Sequence, residues 1–317
     1  MFISNPLKMV FEKFLFPAPR PPHYTLSSHK DHLIWLPAEQ NSTQATPIPC
    51  MLYSPSGQAN YFIIWCHGNG CDIGSMDMTL TALSQRLYAH VLAFEYPSYG
   101  LLNGITPLPS QESINNHGER AYSFVRHTLQ WPAYRIIIYG HSIGSGVACH
   151  LASTQQVGAL ILQSPYTSIS NLVQEKLGIL SYMIPSSFWD NYEAMKSITC
   201  PVLFIHGQRD NLIPSQHSQI LFDSLNLREN KQLVFLPDDD HNTISDPIVL
   251  IHVEPFLRQH FQAPTEPVPH VEIDPTLRVP PTINPSSSSN FFSSLFGASA
   301  SATESILNSF GFKGADK

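Results

Sequence analysis

Ser142 lies in the pattern Gly140-His141-Ser142-Ile143-Gly144, in which two glycines flank a hydroxyl that could act as a nucleophile. The apolar run YRIIIY precedes the pattern and a small-residue stretch follows it, which together predict a strand, a sharp turn and a helix. The glycines leave room around a serine raised above the sheet edge, and the helix N-terminus favours a developing negative charge. The pattern therefore predicts nucleophilic catalysis by Ser142.

A serine hydroxyl is a weak nucleophile that needs an adjacent base. Asp210 follows the apolar run PVLFI, and His241 follows the run KQLVFL. Serine, acid and histidine thus come in the order expected for a triad on a parallel sheet. We expect His241 to be the general base and Asp210 to orient it. Less suitable candidates, which we interpret as packing or solvated residues, are His141, His206, Asp190, Glu193 and Asp238 to Asp240.

The glycine-rich stretch His67-Gly68-Asn69-Gly70 comes directly after the run NYFIIWC. A loop in this position can supply one backbone N–H to an oxyanion, and the residue after the nucleophile supplies the other. The predicted donors are the amides of Asn69 and Ile143, although a plain glycine turn between a strand and a helix is the alternative.

These residues need a scaffold in which strands and helices alternate. The apolar runs predict strands at 33–36, 49–53, 60–66, 90–95, 134–139, 158–162, 201–205 and 231–236, and helices at 75–89, 111–129, 143–153, 215–225 and 246–261. Such alternation is typical of a mostly parallel sheet with helices on both faces. Chemistry in such sheets lies beyond the carboxyl ends of the strands, where the predicted site residues fall.

The predicted organisation has three parts: a segment at 1–30, a catalytic domain at 31–262 and a proline- and serine-rich tail without structure at 263–317. Within the domain, residues of about 164–197 are too long for a simple connection and predict a small helical cap. Its apolar residues could line an acyl groove or simply pack: Leu177, Ile179, Leu180, Met183, Ile184, Phe188 and Trp189.

Residues 1–16 carry apolar side chains at helical spacing, at Ile3, Leu7, Val10, Phe11 and Phe14. Such a helix could make peripheral contact with a membrane surface or could dock on the protein's own core. The charges at Lys8, Glu12 and Lys13 argue against a secretory signal and a membrane span.

Composition narrows the class of protein. Charged residues make up 13% of the chain, and the net charge of −7 contains no basic stripe, so we expect no nucleic-acid partner. The five cysteines and fifteen histidines show no spacing typical of a metal site or a disulfide framework. We therefore expect a cytoplasmic monomer without metal or cofactor, with contact to the cytoplasmic face of a membrane as an addition.

The motifs together resemble one branch of the α/β-hydrolases. HGNG, EYPSYG, GHSIGSG, SPYTS, HGQRD and DHN occur in the order seen in the membrane-associated α/β-hydrolase-domain proteins, which include the group-17 protein depalmitoylases. The similarity covers roughly residues 8–262, with Glu95 where the family usually has aspartate. The resemblance implies an α/β-hydrolase fold and, as substrate, a fatty acyl chain in thioester linkage to a protein cysteine.

We therefore expect a serine hydrolase that cleaves acyl esters or thioesters through an acyl-enzyme, acting on an acylated protein or a lipid-like ester. A serine peptidase or a lipase of the monoacylglycerol type could use the same three residues, since fold and triad do not fix the substrate. The third hypothesis is an inactive scaffold that binds other proteins.

Overall fold

The continuous apolar runs of the sequence form eight strands of one sheet. The structure, a computed structural model, describes residues 15–38, 46–105, 108–177, 188–262 and 267–281, without the side chains of 176 and 177. The strand order is β1-β2-β4-β3-β5-β6-β7-β8. The strands are β1 Leu33–Leu36, β2 Ile48–Tyr53, β3 Tyr61–Cys66, β4 Ala89–Phe94, β5 Ile136–His141, β6 Ala159–Gln163, β7 Val202–Gly207 and β8 Lys231–Leu236.

Strand β2 is antiparallel to both of its neighbours, and from β4 to β8 every pairing is parallel. In β3 and β5, Cys66 pairs with Gly140, so the loops that carry Asn69 and Ser142 leave the sheet side by side. The helices are α1 Asp77–Leu87, α2 Gln111–Ser123, α3 Gly144–Thr154, α4 Ile169–Leu177, α5 Asn191–Met195, α6 Gln216–Ser224 and α7 Asp246–His260.

The core lies on both faces of the sheet. In β3, Phe62 and Ile64 belong to one apolar cluster, whereas Ile63 and Trp65 belong to the other. Alternate side chains of a strand point to opposite faces, so burial on both faces requires an unbroken apolar run. This is why the central strands carry no polar residue at alternate positions, and it confirms the predicted fold class.

The predicted elements agree with the structure to within a few residues. The main difference is the predicted helix 111–129, because α2 ends at Ser123 and a single π-helical turn, Phe124–Thr128, follows it. In the predicted cap, α4 and α5 are present, and Phe188 and Trp189 are buried in the core. Residues 178–187, with Ile179, Leu180, Met183 and Ile184, lie outside the described residues, as does the side chain of Leu177.

The prediction of a tail without structure from residue 263 is wrong for residues 267–281. This stretch contains a 3₁₀ turn at Pro275–Arg278, and Val268, Val271, Ile273 and Leu277 pack against the core. The prediction failed because the stretch is polar overall, so composition did not indicate that its few apolar residues pack. Their spacing suits an extended chain that lies on the surface of the domain.

The segment before the predicted domain also packs on it, because Phe16 and Tyr24 are buried. Residues 1–14, with the predicted amphipathic helix, lie outside the described residues. Within the described residues, no helix has both the length and the apolar character needed to span a membrane.

Candidate active site

Ser142 sits on a strained turn at the end of β5, with a backbone φ of 53°. Few residues other than glycine adopt positive φ without cost, and such strain clusters at functional sites. A side chain at Gly140 would place its Cβ 2.6 Å from the Cβ of Ala148, and one at Gly144 would place it 2.2 Å from the carbonyl oxygen of Cys66. Both glycines are therefore required for the turn that lifts Ser142 above the sheet.

His241 brings the two ends of the predicted triad together. Its Nε2 lies 2.9 Å from the Ser142 Oγ, and its Nδ1 lies 2.6 Å from the Asp210 Oδ2. A carboxylate only accepts, so Nδ1 carries the proton and Nε2 can accept the serine hydroxyl proton. All three side chains are buried. The arrangement can raise the nucleophilicity of Ser142 in the way a Ser-His-Asp triad does.

Asp210 is held as a carboxylate by its surroundings. Burial by itself raises its pKa, but hydrogen bonds from His206 and His241 outweigh burial and hold the pKa below its ordinary value. The other oxygen, Oδ1, accepts the N–H groups of Leu212 and Ile213 at 2.9 and 2.8 Å. Asp210 is therefore fixed in position and in charge, as an orienting acid requires.

The other candidate acids and histidines have different partners. His206 lies between the Ser218 hydroxyl, at 2.7 Å from Nδ1, and the Ile213 carbonyl, at 2.8 Å from Nε2. Its Nε2 is also 3.3 Å from the Asp210 Oδ2, so it supports the acid of the triad rather than the serine. Asp240 accepts backbone N–H groups of its own loop, and Asp190 caps α5 through the Glu193 N–H. Asp238 forms an exposed ion pair with Arg209. Within the described residues, the hydrogen bond to the Ser142 Oγ comes from His241 and from none of these side chains.

His141, the residue directly before Ser142 on the sharp turn, lies beside the proposed base. Its ring stacks on the ring of His241, with 5.8 Å between centroids and 25° between planes. Burial, with a smaller contribution from the nearby His241, lowers the pKa of His141 to about 3. His141 is therefore neutral near pH 7 and adds no charge beside the proposed base. The glycine at 68 is needed here, because a Cβ on it would lie 2.8 Å from the His141 Nδ1.

The predicted oxyanion donors both lie beside the turn that carries Ser142. No hydrogen bond within the described residues uses the backbone N–H of Asn69 or that of Ile143. The Asn69 side chain, in contrast, has two partners: the Leu15 carbonyl at 2.6 Å and the Tyr99 hydroxyl at 2.7 Å. Sequence reasoning missed Leu15 and Tyr99, although Tyr99 lies in the EYPSYG motif.

The described part of the chain contains no group of three or more histidine, cysteine or acidic side chains placed to hold a metal ion. Its cysteines are free thiols, and all are buried except Cys71, which is half-buried.

Comparison with known proteins agrees with this fold. A family profile described as an alpha/beta hydrolase domain matches residues 59–246. A protein of Acanthamoeba polyphaga mimivirus, named as an alpha/beta hydrolase, is 28% identical over 214 residues, or 67% of this chain and 79% of its own. Human alpha/beta hydrolase domain-containing protein 17B is 29% identical over 182 residues, which span 57% of this chain and 61% of that protein.

Solved structures show the same fold. An esterase of Pyrococcus furiosus aligns with a TM-score of 0.60 at 17% identity and covers 77% of this chain and 98% of its own. The esterase Est1E of Butyrivibrio proteoclasticus aligns with a TM-score of 0.55 at 16% identity, covering 72% of this chain and 98% of its own. With the profile spanning more than half of the sequence, the chain belongs to the α/β-hydrolase family.

Proposed function

We propose that this protein is a serine hydrolase that cleaves acyl esters or thioesters with Ser142 as nucleophile, His241 as general base and Asp210 as orienting acid. The observation that carries the proposal is the continuous hydrogen-bonded chain from the Ser142 Oγ through the imidazole to the Asp210 carboxylate, at 2.9 and 2.6 Å. These distances are within the range required for proton transfer in the first step.

In the proposed reaction, the Ser142 Oγ attacks the acyl carbonyl while its proton passes to the His241 Nε2. The carbonyl oxygen becomes an oxyanion and accepts the backbone N–H groups of Ile143 and Asn69. Collapse breaks the bond to the thiol or alcohol, which leaves with the proton from His241. A water molecule then hydrolyses the acyl-enzyme by the same route and restores the serine.

For the substrate we propose a fatty acyl group in thioester linkage to a protein cysteine, or a related lipid-like ester. The order of motifs from HGNG to DHN supports this class, because it resembles the group-17 protein depalmitoylases. The match to the human 17B protein covers only 61% of that protein, so its properties come to this chain as part of the proposal.

An open cavity of about 530 Å³ lies beside α4, α5 and α6. Thr167, which follows β6, lines this cavity, whereas Ser142, Asp210 and His241 do not. The remaining lining residues come from α4, α5 and α6: Asn171, Gln174, Glu175, Tyr192 and Ile220.

The proposal is tested by labelling the purified protein with a fluorophosphonate probe, followed by a panel of acyl thioesters, glycerides and aminoacyl amides. Ser142→Ala should lose labelling and turnover. Ser164→Ala is a matched control, because Ser164 also follows a strand, has positive φ and makes no hydrogen bond through Oγ within the described residues. Labelling that persists in Ser142→Ala would contradict the proposal, and preferred cleavage of the amides would favour a peptidase.

A further inference from the structure

Residues 15–24, called here the N-terminal strap, cross the loop that carries the proposed oxyanion donor. The strap lies far from this loop in sequence, yet the Asn69 Nδ2 donates a 2.6 Å hydrogen bond to the Leu15 carbonyl across 54 residues. At the other end of the strap, the His23 N–H donates to the Asp72 carboxylate at 2.7 Å. Residues 67–72 are called here the oxyanion loop. Both ends of the strap therefore contact this loop, Leu15 at Asn69 and His23 at Asp72.

The first end of the strap is anchored by Phe16. Its side chain is only 4% exposed and packs edge-to-face on Trp189, with 5.9 Å between ring centroids. Burial of a large apolar side chain stabilises the position of the residue that carries it. Trp189 is itself fixed, because its Nε1–H donates to the Asn115 Oδ1 at 2.9 Å. The Leu15 carbonyl, one residue away, is thus presented from a rigid position.

The second end is anchored by Tyr24. Its ring fills space that only glycines leave open, since a Cβ at Gly74 or Gly100 would lie 2.5 Å from Tyr24 atoms. The Tyr24 hydroxyl donates to the fully buried Glu95 carboxylate at 2.8 Å, and Glu95 lies 3.3 Å from the His67 Nε2 at the start of the oxyanion loop. The strap is therefore built into the domain around the loop.

Asn69 is the point at which these contacts reach the site. A carbonyl only accepts, so the Leu15 oxygen fixes which end of the Asn69 amide carries the nitrogen, and the Tyr99 hydroxyl donates to Oδ1 at 2.7 Å. Tyr99 is fully buried, and burial raises its pKa well above the ordinary value, so its hydroxyl remains a donor. Two bonds on opposite ends of one short side chain hold the residue that carries the oxyanion N–H.

We infer that Tyr99 and the N-terminal strap are positioning elements of the oxyanion site, which act through the side chain of Asn69. The inference rests on the proposed function, because it assigns the Asn69 N–H to the transition state. A donor helps catalysis only when it already points to where the charge develops. Loss of either side-chain bond should therefore lower kcat more than it changes KM.

The first experiment is a double-mutant cycle in the full-length protein with a soluble acyl thioester. Tyr99→Phe and Asn69→Ala should each lower kcat by about tenfold, less than the roughly 10²–10³-fold cost of losing an oxyanion donor outright, with KM changed less than about twofold. The double variant should be no slower than Asn69→Ala, because Tyr99 acts through Asn69. Tyr122→Phe is the control, since its hydroxyl also donates one bond, to the Gln156 carbonyl at 2.6 Å.

The strap is tested by Phe16→Ala in the wild-type and Asn69→Ala backgrounds, with Phe16→Leu as the conservative variant. Phe16→Ala should lower kcat in the wild type and leave Asn69→Ala unchanged, and Phe16→Leu should restore most of the loss. Additive effects in either cycle, or kcat values equal to that of Tyr122→Phe, would overturn the inference. If the wild-type protein has no Ser142-dependent turnover, the proposed function fails instead, and this outcome is visible before any strap variant is made.

Discussion

Gly144, at the start of α3, packs so closely on Cys66, at the end of β3, that a Cβ at residue 144 would lie 2.2 Å from the Cys66 carbonyl oxygen. Cys66 leads into the oxyanion loop and Gly144 follows the proposed nucleophile by two residues. The contact therefore sets the separation between the two halves of the site by direct van der Waals exclusion.

Gly144→Ala should disrupt this contact. The partner is a backbone oxygen in a strand and cannot turn aside, so we expect a loss of stability of about 1–3 kcal/mol, the usual cost of overpacking, and loss of labelling at Ser142. Urea unfolding and fluorophosphonate labelling measure the two effects. In Gly57→Ala the nearest atom would be 3.7 Å away, so both quantities should stay near the wild-type values. A fully labelled Gly144→Ala protein would show that the helix can move away.

Asp210→Asn should lower kcat by about 10⁴-fold, because the amide cannot stabilise the imidazolium and favours the wrong histidine tautomer. Steady-state kinetics with a soluble thioester measure this effect. The matched control is Asp238→Asn, which removes an exposed carboxylate paired with Arg209. A decrease of less than about tenfold in Asp210→Asn would move the acid to another residue.

Acid should destabilise the protein through its buried neutral histidines. Burial lowers the pKa of His117 to about 4, and its Nδ1–H donates to the Glu95 carbonyl at 2.8 Å. The unfolded state, with a histidine pKa of about 6.5, binds the proton more readily, so stability falls as pH decreases from about 6.5 to about 4. At pH 5 this one residue should account for about 2 kcal/mol of the loss.

The measurement for this residue is urea unfolding of the wild type and of His117→Gln at pH 7.5 and pH 5. Glutamine does not titrate, so the variant should lose less free energy of unfolding between the two pH values than the wild type. Equal losses in both proteins would show that His117 takes no part in acid destabilisation.

The two readings of residues 1–16 make opposite predictions for Leu7→Glu with Phe11→Glu. If the apolar face contacts a membrane, sedimentation with phospholipid vesicles should fall, because carboxylates enter the acyl boundary at high cost. If that face docks on the core, the free energy of unfolding should fall instead, as burial of Phe16 would suggest. Asn5→Glu, which adds charge on the side of the predicted helix opposite the apolar positions, should change neither quantity.

Local patterns were sufficient to predict the sheet and to bring the three proposed catalytic residues to one edge. Runs such as YFIIWC fix a doubly buried strand, and parallel pairing then places the loops after them together. The hydrogen bonds of the Asn69 side chain could not be predicted in this way. They join Asn69 to the Leu15 carbonyl, 54 residues away, and to the Tyr99 hydroxyl, 30 residues away, and no periodic pattern in the sequence indicates such pairs.

The stretch 267–281 has a consequence for how this protein behaves in solution. Strand β1 is the last strand on its side of the sheet, yet all four of its residues are buried, and the Arg278 guanidinium donates to the Asp31 carbonyl just before it. An uncovered terminal strand offers unpaired amides and carbonyls to other chains. Residues 267–281 thus shield β1, and a protein that ends before residue 267 would be expected to self-associate through the exposed edge of this strand.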